Sequence, residues 1–509
     1  MVGTMTPIGA LYWRASKHPD SVAFVAGDNA WSYRRLATEA EELARALLGR
    51  GVTAGDRVAL HMANLPELAV AYYACFRIGA IACPLNIRFK TAELQPLLHQ
   101  LRPALYLGQA QLYPQIAPVQ PDILASNARF TVGGASERSG AQPWDDLFID
   151  IADRSVPHDP DVNMPAVLLT TSGTTGQPKF VAHTSATLSA IADSFLHLGL
   201  DEEQIAINAV PMMHVGGLAT FLGCVRFGMP MILFERFDPD ALLDAIEPHQ
   251  CSWLIGVPLM YAAIVKSQRM RPRRVDTMRF CLVAGDVCPP QLQQDFPNMF
   301  GVPLRSFWGS TETFGTFTFG LQPGPVSRPA PGTQFRLVDD KGEPAPRGEV
   351  GELLVCGPSV TVGYWSGPAQ INAPSDGWFH TGDLMREGEK HELWFVSRKK
   401  DLIIRGGSNV SPIEVERVLM AHPAVCDAAV IGIPDVILGQ RVVGLVRLAD
   451  NSGKSVLDDI LADTRATLAD YKVPEWLEVV DEIPRNALGK IDRKSLLAMT
   501  SDPKIRLDG

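Results

Sequence analysis

The chain has 509 residues, 46% of them hydrophobic and 20% charged, with a formal net charge of −10. This length exceeds one ordinary core and predicts two or three domains. The acidic balance argues against a nucleic-acid binder, whose affinity would rest on a basic face, and no apolar run approaches the ~20 residues of a membrane span.

Taken in order, the first segments alternate helix and strand signals. Residues 34–50 carry apolar positions at helical spacing and stop before Gly51. Residues 55–62 read as a turn and a buried strand, 67–80 as a helix, and 80–85 as another buried strand. That alternation predicts βαβ units and a largely parallel sheet. Residues 164–172 read as a strand running into a Gly/Ser/Thr-rich loop, with a helix from Ser185, and 229–237 and 279–285 as further buried strands. From about residue 330, short strands and Gly/Pro turns predict a small all-β, barrel-like unit. The charged, Gly-rich stretch 397–412 marks a boundary, and the last ~110 residues predict a small α+β domain. The expected division is 1–397, with a β-rich part at 330–397, and 398–509. The eight cysteines form no CxxC pair or zinc-like cluster, and most sit in apolar stretches. Together with an N-terminus lacking a basic and then apolar leader, this predicts free thiols and a cytoplasmic location.

Four segments carry chemistry. In Thr170 to Lys179 (TTSGTTGQPK) two glycines permit tight turns, hydroxyls and backbone N–H groups suit phosphate oxygens, and Lys179 adds positive charge. The spacing is not that of a P-loop. In Phe307 to Glu312 (FWGSTE) Trp308 could lie against a purine and Glu312 could bind Mg²⁺. Asp383, in GWFHTGD, could accept from ribose hydroxyls, or could satisfy its own β-turn. Lys490, in PRNALGKI, reads alone as a surface lysine.

In this order and spacing, TTSGTTGQPK, WGSTE, GWFHTGD, SRKKDLIIRGGSNVSPIEVE and PRNALGKIDR resemble the signatures of the adenylate-forming superfamily of acyl-CoA synthetases, luciferases and peptide-synthetase adenylation domains. The match runs over nearly the whole chain. The resemblance implies an ATP- and Mg²⁺-dependent acid–CoA ligase that forms an acyl-adenylate and releases AMP and pyrophosphate. The rival with the same first step transfers the acyl group to an amine or to a carrier-protein thiol. Thr171, Ser172, Gly173, Thr174, Thr175, Gly176 and Lys179 would form the phosphate loop. Glu312 would be the Mg²⁺-associated acid, and Thr311 a contact of the α-phosphate. Trp308, Gly309, Gly285 and Asp286 would enclose the adenine, and Asp383 and Arg398 would hold the ribose. Lys490 would bridge carboxylate and α-phosphate. The family swings its C-terminal domain, with Lys400 at the hinge position. Gly406 and Gly407 would line a thiol channel for coenzyme A, and Lys472 could meet a CoA phosphate or be structural.

The acid would lie near Met213, His214, Gly217, Ala284, Gly285, Phe314 and Phe317. These give an apolar, aromatic-friendly surface and predict a small aromatic, cyclic or medium-chain monocarboxylate. His214 could gate the pocket or make a core hydrogen bond. No basic cluster for a second carboxylate is evident. The expected assembly is a monomer or homodimer. Phe180 stands where the family has Gly and would be strained if its φ were positive. Trp308 replaces the commoner Tyr, Asp286 replaces Ala, and Ser397 replaces Gly.

Overall fold

A computed structural model describes all residues except 1–4, 134–139, 150–154, 157–159, 172–178, 321–323, 368–369, 406–407, 436, 450–455, 487–489 and 501–509. Two large sheets dominate the first 370 residues. The nine-stranded sheet runs, in hydrogen-bonded order, Gln370–Asn372, Gly363–Gly367, Lys179–Thr184, Pro165–Thr171, Ile81–Pro84, Arg57–His61, Leu105–Gln109, Arg129–Val132 and Gln142–Pro143. The seven-stranded sheet runs Leu304–Ser306, Phe280–Val283, Trp253–Gly256, Ala206–Asn208, Met231–Leu233, Val22–Ala26 and Asn29–Ser32, parallel except at its last pair.

Helices fill the space between these sheets. Tyr33–Gly49 begins where Ser32 Oγ accepts the Arg35 N–H, and its buried face repeats at helical spacing. Pro66–Ile78 is apolar nearly all round, as a helix buried between layers must be, and stops at Gly79 in the left-handed conformation. Val215–Phe227 completes the layer, and one core takes side chains from these helices and from both sheets. Period-two alternation divides each strand between cores: Val58 and Leu60 face this inner core, while Ala59 faces the outer one. Helices Pro239–His249, Pro258–Met270 and Pro290–Phe300 cover the outer face of the seven-stranded sheet. The expected helices and strands therefore form, although the strand read at 229–237 shortens to Met231–Leu233.

The β-rich region begins earlier than expected, at Phe317–Phe319. It is a six-stranded antiparallel sheet ordered Phe317–Phe319, Val326–Pro329, Leu393–Arg398, Phe379–Glu387, Val350–Cys356 and Gln334–Val338. Its two edge strands differ and do not pair, so among the described residues the sheet is open and the barrel-like unit is not seen. The C-terminal region is a five-stranded sheet in which Gly439–Leu448 pairs with Ile403–Arg405, Val425–Asp435 and Trp476–Val479, flanked by Pro412–Met420, Leu457–Thr467 and Arg493–Thr500. No helix among the described residues is long and apolar enough to cross a membrane.

Candidate active site

Strands Pro165–Thr171 and Lys179–Thr184 run antiparallel with Thr171 opposite Lys179. Thr171 is half-buried and Lys179 exposed, while Ser172, Gly173, Thr174, Thr175 and Gly176 lie outside the described residues. Phe180 is fully buried, pairs with Thr170 and Trp365, and sets its ring edge-on to Trp365 at 5.8 Å. Its φ is not positive. The strain considered for this position does not arise, because an extended strand accepts any side chain and Phe fills the outer core.

The segment from Phe307 to Thr316 crosses from the seven-stranded sheet to the antiparallel one. The Trp308 N–H donates to Ser327 Oγ (2.7 Å), and its ring meets Phe317 edge-on at 5.1 Å. The indole Nε1–H donates to Asp383 Oδ2 at 2.8 Å. Asp383 is directly opposite Arg398 in the sheet, and Arg398 Nε lies 3.4 Å from Asp383 Oδ1. That Oδ1 is buried and has no hydrogen bond among the described residues. Burial raises the Asp383 carboxyl above its ordinary value, against the opposing pull of Arg398 and the Trp308 N–H. An orphaned buried acceptor asks for a donor, which a ribose hydroxyl provides. Asp383, Arg398 and Lys400 line one cleft of about 300 Å³, so the two ribose candidates and the hinge candidate adjoin.

Glu312 Oε1 accepts from the Tyr364 hydroxyl at 2.8 Å, and Thr361 N–H donates to the Glu312 carbonyl at 2.8 Å. The preceding Thr311 carbonyl accepts from His183 Nε2 at 2.8 Å. A carbonyl only accepts, so Nε2 carries the proton, and burial depresses the imidazole's pKa and keeps it neutral. Neither His183 nor Tyr364 is visible as a site residue in the sequence, because each acts from a strand remote from the motif it supports. Glu312 Oε2 has no hydrogen bond among the described residues, and a lone hard carboxylate suits Mg²⁺, which takes one or two carboxylates plus substrate phosphates. No cluster of three or more His, Cys, Asp or Glu side chains that could hold a metal occurs among the described residues.

Lys490 reaches this cluster from the C-terminal region. Burial lowers its ammonium pKa first and Arg398 lowers it further, while Asp286, Asp383 and Glu312 act in the opposite sense. Its hairpin is pinned internally by Asn486 N–H to Lys490 O (2.8 Å) and Asp492 N–H to Pro484 O (2.8 Å). Two ion pairs fasten its flanks, one to strand Val425–Asp435 and one to helix Pro412–Met420. Arg485 donates to both oxygens of Asp427 at 3.0 and 2.9 Å, and Arg493 Nη1 donates to buried Glu416 at 2.7 Å. Lys472 gives two 2.8 Å hydrogen bonds to Glu414, which ties it to the fold of this region. Gly406 and Gly407 lie outside the described residues.

On the acyl side, His214 immediately precedes helix Val215–Phe227. Its pKa is lowered to about 4, first by burial and then by Arg88 and Lys490, so the ring is neutral and near the lysine. Met213 is buried and its Sδ accepts from the Ile87 N–H at 3.3 Å. Ala284 follows strand Phe280–Val283, and Gly285 comes next at φ +87, which favours glycine. A Cβ on Gly217 would come within 2.4 Å of the Val210 and Pro211 carbonyl oxygens, so this glycine serves close helix packing. Phe314 stacks on Phe195 and meets Phe307 edge-on, and Phe317 backs Trp308.

Two family models match the chain: AMP-binding enzyme over residues 11–365 and AMP-binding enzyme C-terminal domain over 414–490. Feruloyl-CoA synthase of Amycolatopsis sp is 32% identical over 94% of this chain and 96% of its own length. The 2-succinylbenzoate–CoA ligase of Geobacillus kaustophilus is 35% identical over 95% and 96%, and the indoleacetate–CoA ligase of Aromatoleum aromaticum 31% over 94% and 94%. Among solved structures, ATP-bound MatB of Rhodopseudomonas palustris superposes with a TM-score of 0.84 at 26% identity over 98% and 99% of the two chains. The o-succinylbenzoate CoA synthetase of Bacillus subtilis, in complex with its acyl-adenylate intermediate, gives 0.80 at 27% over 96% and 97%.

Proposed function

The chain belongs to the AMP-binding, adenylate-forming enzyme family, and from that premise we propose that it is an acid–CoA ligase acting on a small aromatic, cyclic or medium-chain monocarboxylate. The observation that carries the reading is the convergence of Lys490 with Glu312, Asp383 and Arg398, residues of three distant segments whose charges all act on one ammonium.

The chemistry follows from charge. Carboxylate and ATP repel, and a carboxylate oxygen must attack the α-phosphorus as pyrophosphate leaves. Lys490, held near Glu312 and Asp383, supplies a fixed positive charge to the attacking carboxylate and the α-phosphate. Lys179 would meet the departing pyrophosphate together with the hydroxyls of the phosphate loop. Mg²⁺ bound through Glu312 would neutralise phosphate charge. Asp383 and Arg398 fix the ribose, Trp308 with Gly309, Gly285 and Asp286 bounds the adenine, and Thr311 meets the α-phosphate. No protein nucleophile is required, so catalysis rests on positioning and preorganised charge. In the second step the CoA thiolate attacks the acyl carbonyl and AMP leaves. Gly406 and Gly407 would line its channel once the region 398–509 turns about Lys400 relative to 1–397. The feruloyl, indoleacetate and 2-succinylbenzoate named for the relatives support an aromatic acid.

A pyrophosphate-release screen over a panel of carboxylic acids, with and without CoA and with products read by mass spectrometry, tests the reading. An acid-dependent signal that yields a thioester is expected. Adenylate without thioester would move the acceptor to an amine or a carrier-protein thiol, and ADP in place of AMP would refute adenylation.

A further inference from the structure

Tyr364 touches two of the proposed phosphate-handling groups at once. Its hydroxyl donates to Glu312 Oε1 at 2.8 Å. The Lys179 ammonium stands over its ring, 5.0 Å from the centroid. The residue sits on strand Gly363–Gly367, paired with Val181 next to the lysine's own strand, and its ring also leans on Phe379 at 6.3 Å. Glu312 and Lys179 carry opposite charges, yet among the described residues the contacts they share run through Tyr364, its hydroxyl to one and its ring face to the other. Resting on the adenylation reading above, we propose that Tyr364 is a positioning residue that holds the metal-binding carboxylate and the phosphate-binding ammonium side by side while preventing them from neutralising each other.

Each contact suits this task. A phenol O–H satisfies one carboxylate oxygen without cancelling its charge, so Glu312 stays a hard anion for Mg²⁺. A phenol keeps its proton at neutral pH, so the hydroxyl is the donor and Glu312 Oε1 the acceptor in this contact. The aromatic face attracts the ammonium through its quadrupole and offers no counter-charge, which leaves the lysine free for phosphate oxygens. A direct Lys179–Glu312 pair would have to break before either group met its ligand.

Two variants separate the contacts. Tyr364→Phe keeps the ring and loses the hydroxyl, whereas Tyr364→Leu loses both. The measurement is equilibrium binding of ATP to the full chain by calorimetry, across a series of free Mg²⁺ concentrations and in EDTA, with adenylation rates alongside. Tyr364→Phe should raise the Mg²⁺ concentration for half-maximal tightening of ATP binding about three- to tenfold, and leave ATP binding in EDTA unchanged. Tyr364→Leu should add a loss of about two- to fivefold in EDTA. A Tyr364→Phe variant with the wild-type Mg²⁺ dependence overturns the proposal, as does a pair of variants that lose melting temperature alone. Wild-type protein that binds ATP without any Mg²⁺ dependence would overturn the adenylation reading as well, so the two failures are distinguishable.

Discussion

Arg493→Met should loosen the packing of helix Pro412–Met420 against strand Val425–Asp435, next to the segment that carries Lys490. Glu416 is 5% exposed, and its Oε1 accepts from Arg493 Nη1 at 2.7 Å and from the Val430 N–H at 2.8 Å. Even with its partner, burial holds this carboxyl above its ordinary value. Removing the guanidinium leaves a buried carboxylate with one backbone donor, and breaking a buried pair from one side costs about 3–5 kcal/mol. Because the Arg493 side chain is 22% exposed, the lower half of that range applies. Each ~1.4 kcal/mol is a tenfold change in the opening equilibrium, so amide exchange in strands Val425–Asp435 and Gly439–Leu448 should accelerate roughly a hundred- to a thousandfold. The sign with pH is fixed. A carboxyl with a folded pKa above its unfolded value destabilises only where it is ionised, so the defect should grow as pH rises through that value and shrink in acid. Adding Glu416→Gln should recover most of the loss, since a neutral amide needs no counter-charge. Adenylation should fall with the exchange protection, because Lys490 is three residues from the lost anchor. Unchanged protection in Arg493→Met, or a double variant no better than the single one, would refute the reasoning.

Lys490→Ala should lower adenylation by at least about two orders of magnitude, the scale of losing one preorganised charge contact, yet spare thioester formation from supplied acyl-adenylate; equal loss of both half-reactions would contradict it. The depressed Lys490 pKa predicts that kcat/KM for adenylation declines with rising pH below the ordinary lysine value, because the free enzyme must keep the ammonium. Bound ATP adds negative charge, so the same limb in kcat should lie at higher pH, and pH profiles of the two parameters should therefore not superimpose. Phe180→Gly, which installs the commoner residue, should destabilise the nine-stranded sheet by about 3–5 kcal/mol through the lost ring; denaturation of the two proteins side by side measures it, and a neutral effect would show that the ring is not a core element.

Much of the fold was legible because periodicity and punctuation agreed: the helix read over 34–50 before Gly51 forms as Tyr33–Gly49, whereas the one read over 67–80 forms as Pro66–Ile78 and stops at Gly79. The antiparallel sheet was legible as β structure, but its beginning at Phe317 and its open edges were not, since pairing between distant strands leaves no local mark. In the candidate site, the motif residues carry their proposed chemistry in sequence, and the charges of Glu312, Asp383 and Arg398 all bear on the Lys490 ammonium. The groups that hold them were hidden. His183 lies 128 residues from the carbonyl it supports and Tyr364 lies 52 from Glu312. Phe180 left the loop's shape open in sequence, strained if its φ were positive and tolerated otherwise, and the extended strand and its pocket beside Trp365 settle it as tolerated.

Strand Lys179–Thr184 lies between Pro165–Thr171 and Gly363–Gly367, and this has a consequence for the order in which a ribosome delivers the molecule. The outer neighbour emerges roughly 180 residues after the strand it covers, which at ordinary synthesis rates is about 10–40 s later. During that interval Phe180 has no Trp365 against it, and the strand's backbone donors and acceptors form a free edge ready to pair with another nascent chain. Translation that stalls between residues 184 and 363 therefore yields a fragment with a sticky border beside the phosphate-handling lysine, one that should demand chaperone cover, and that border closes once residues 363–372 have emerged.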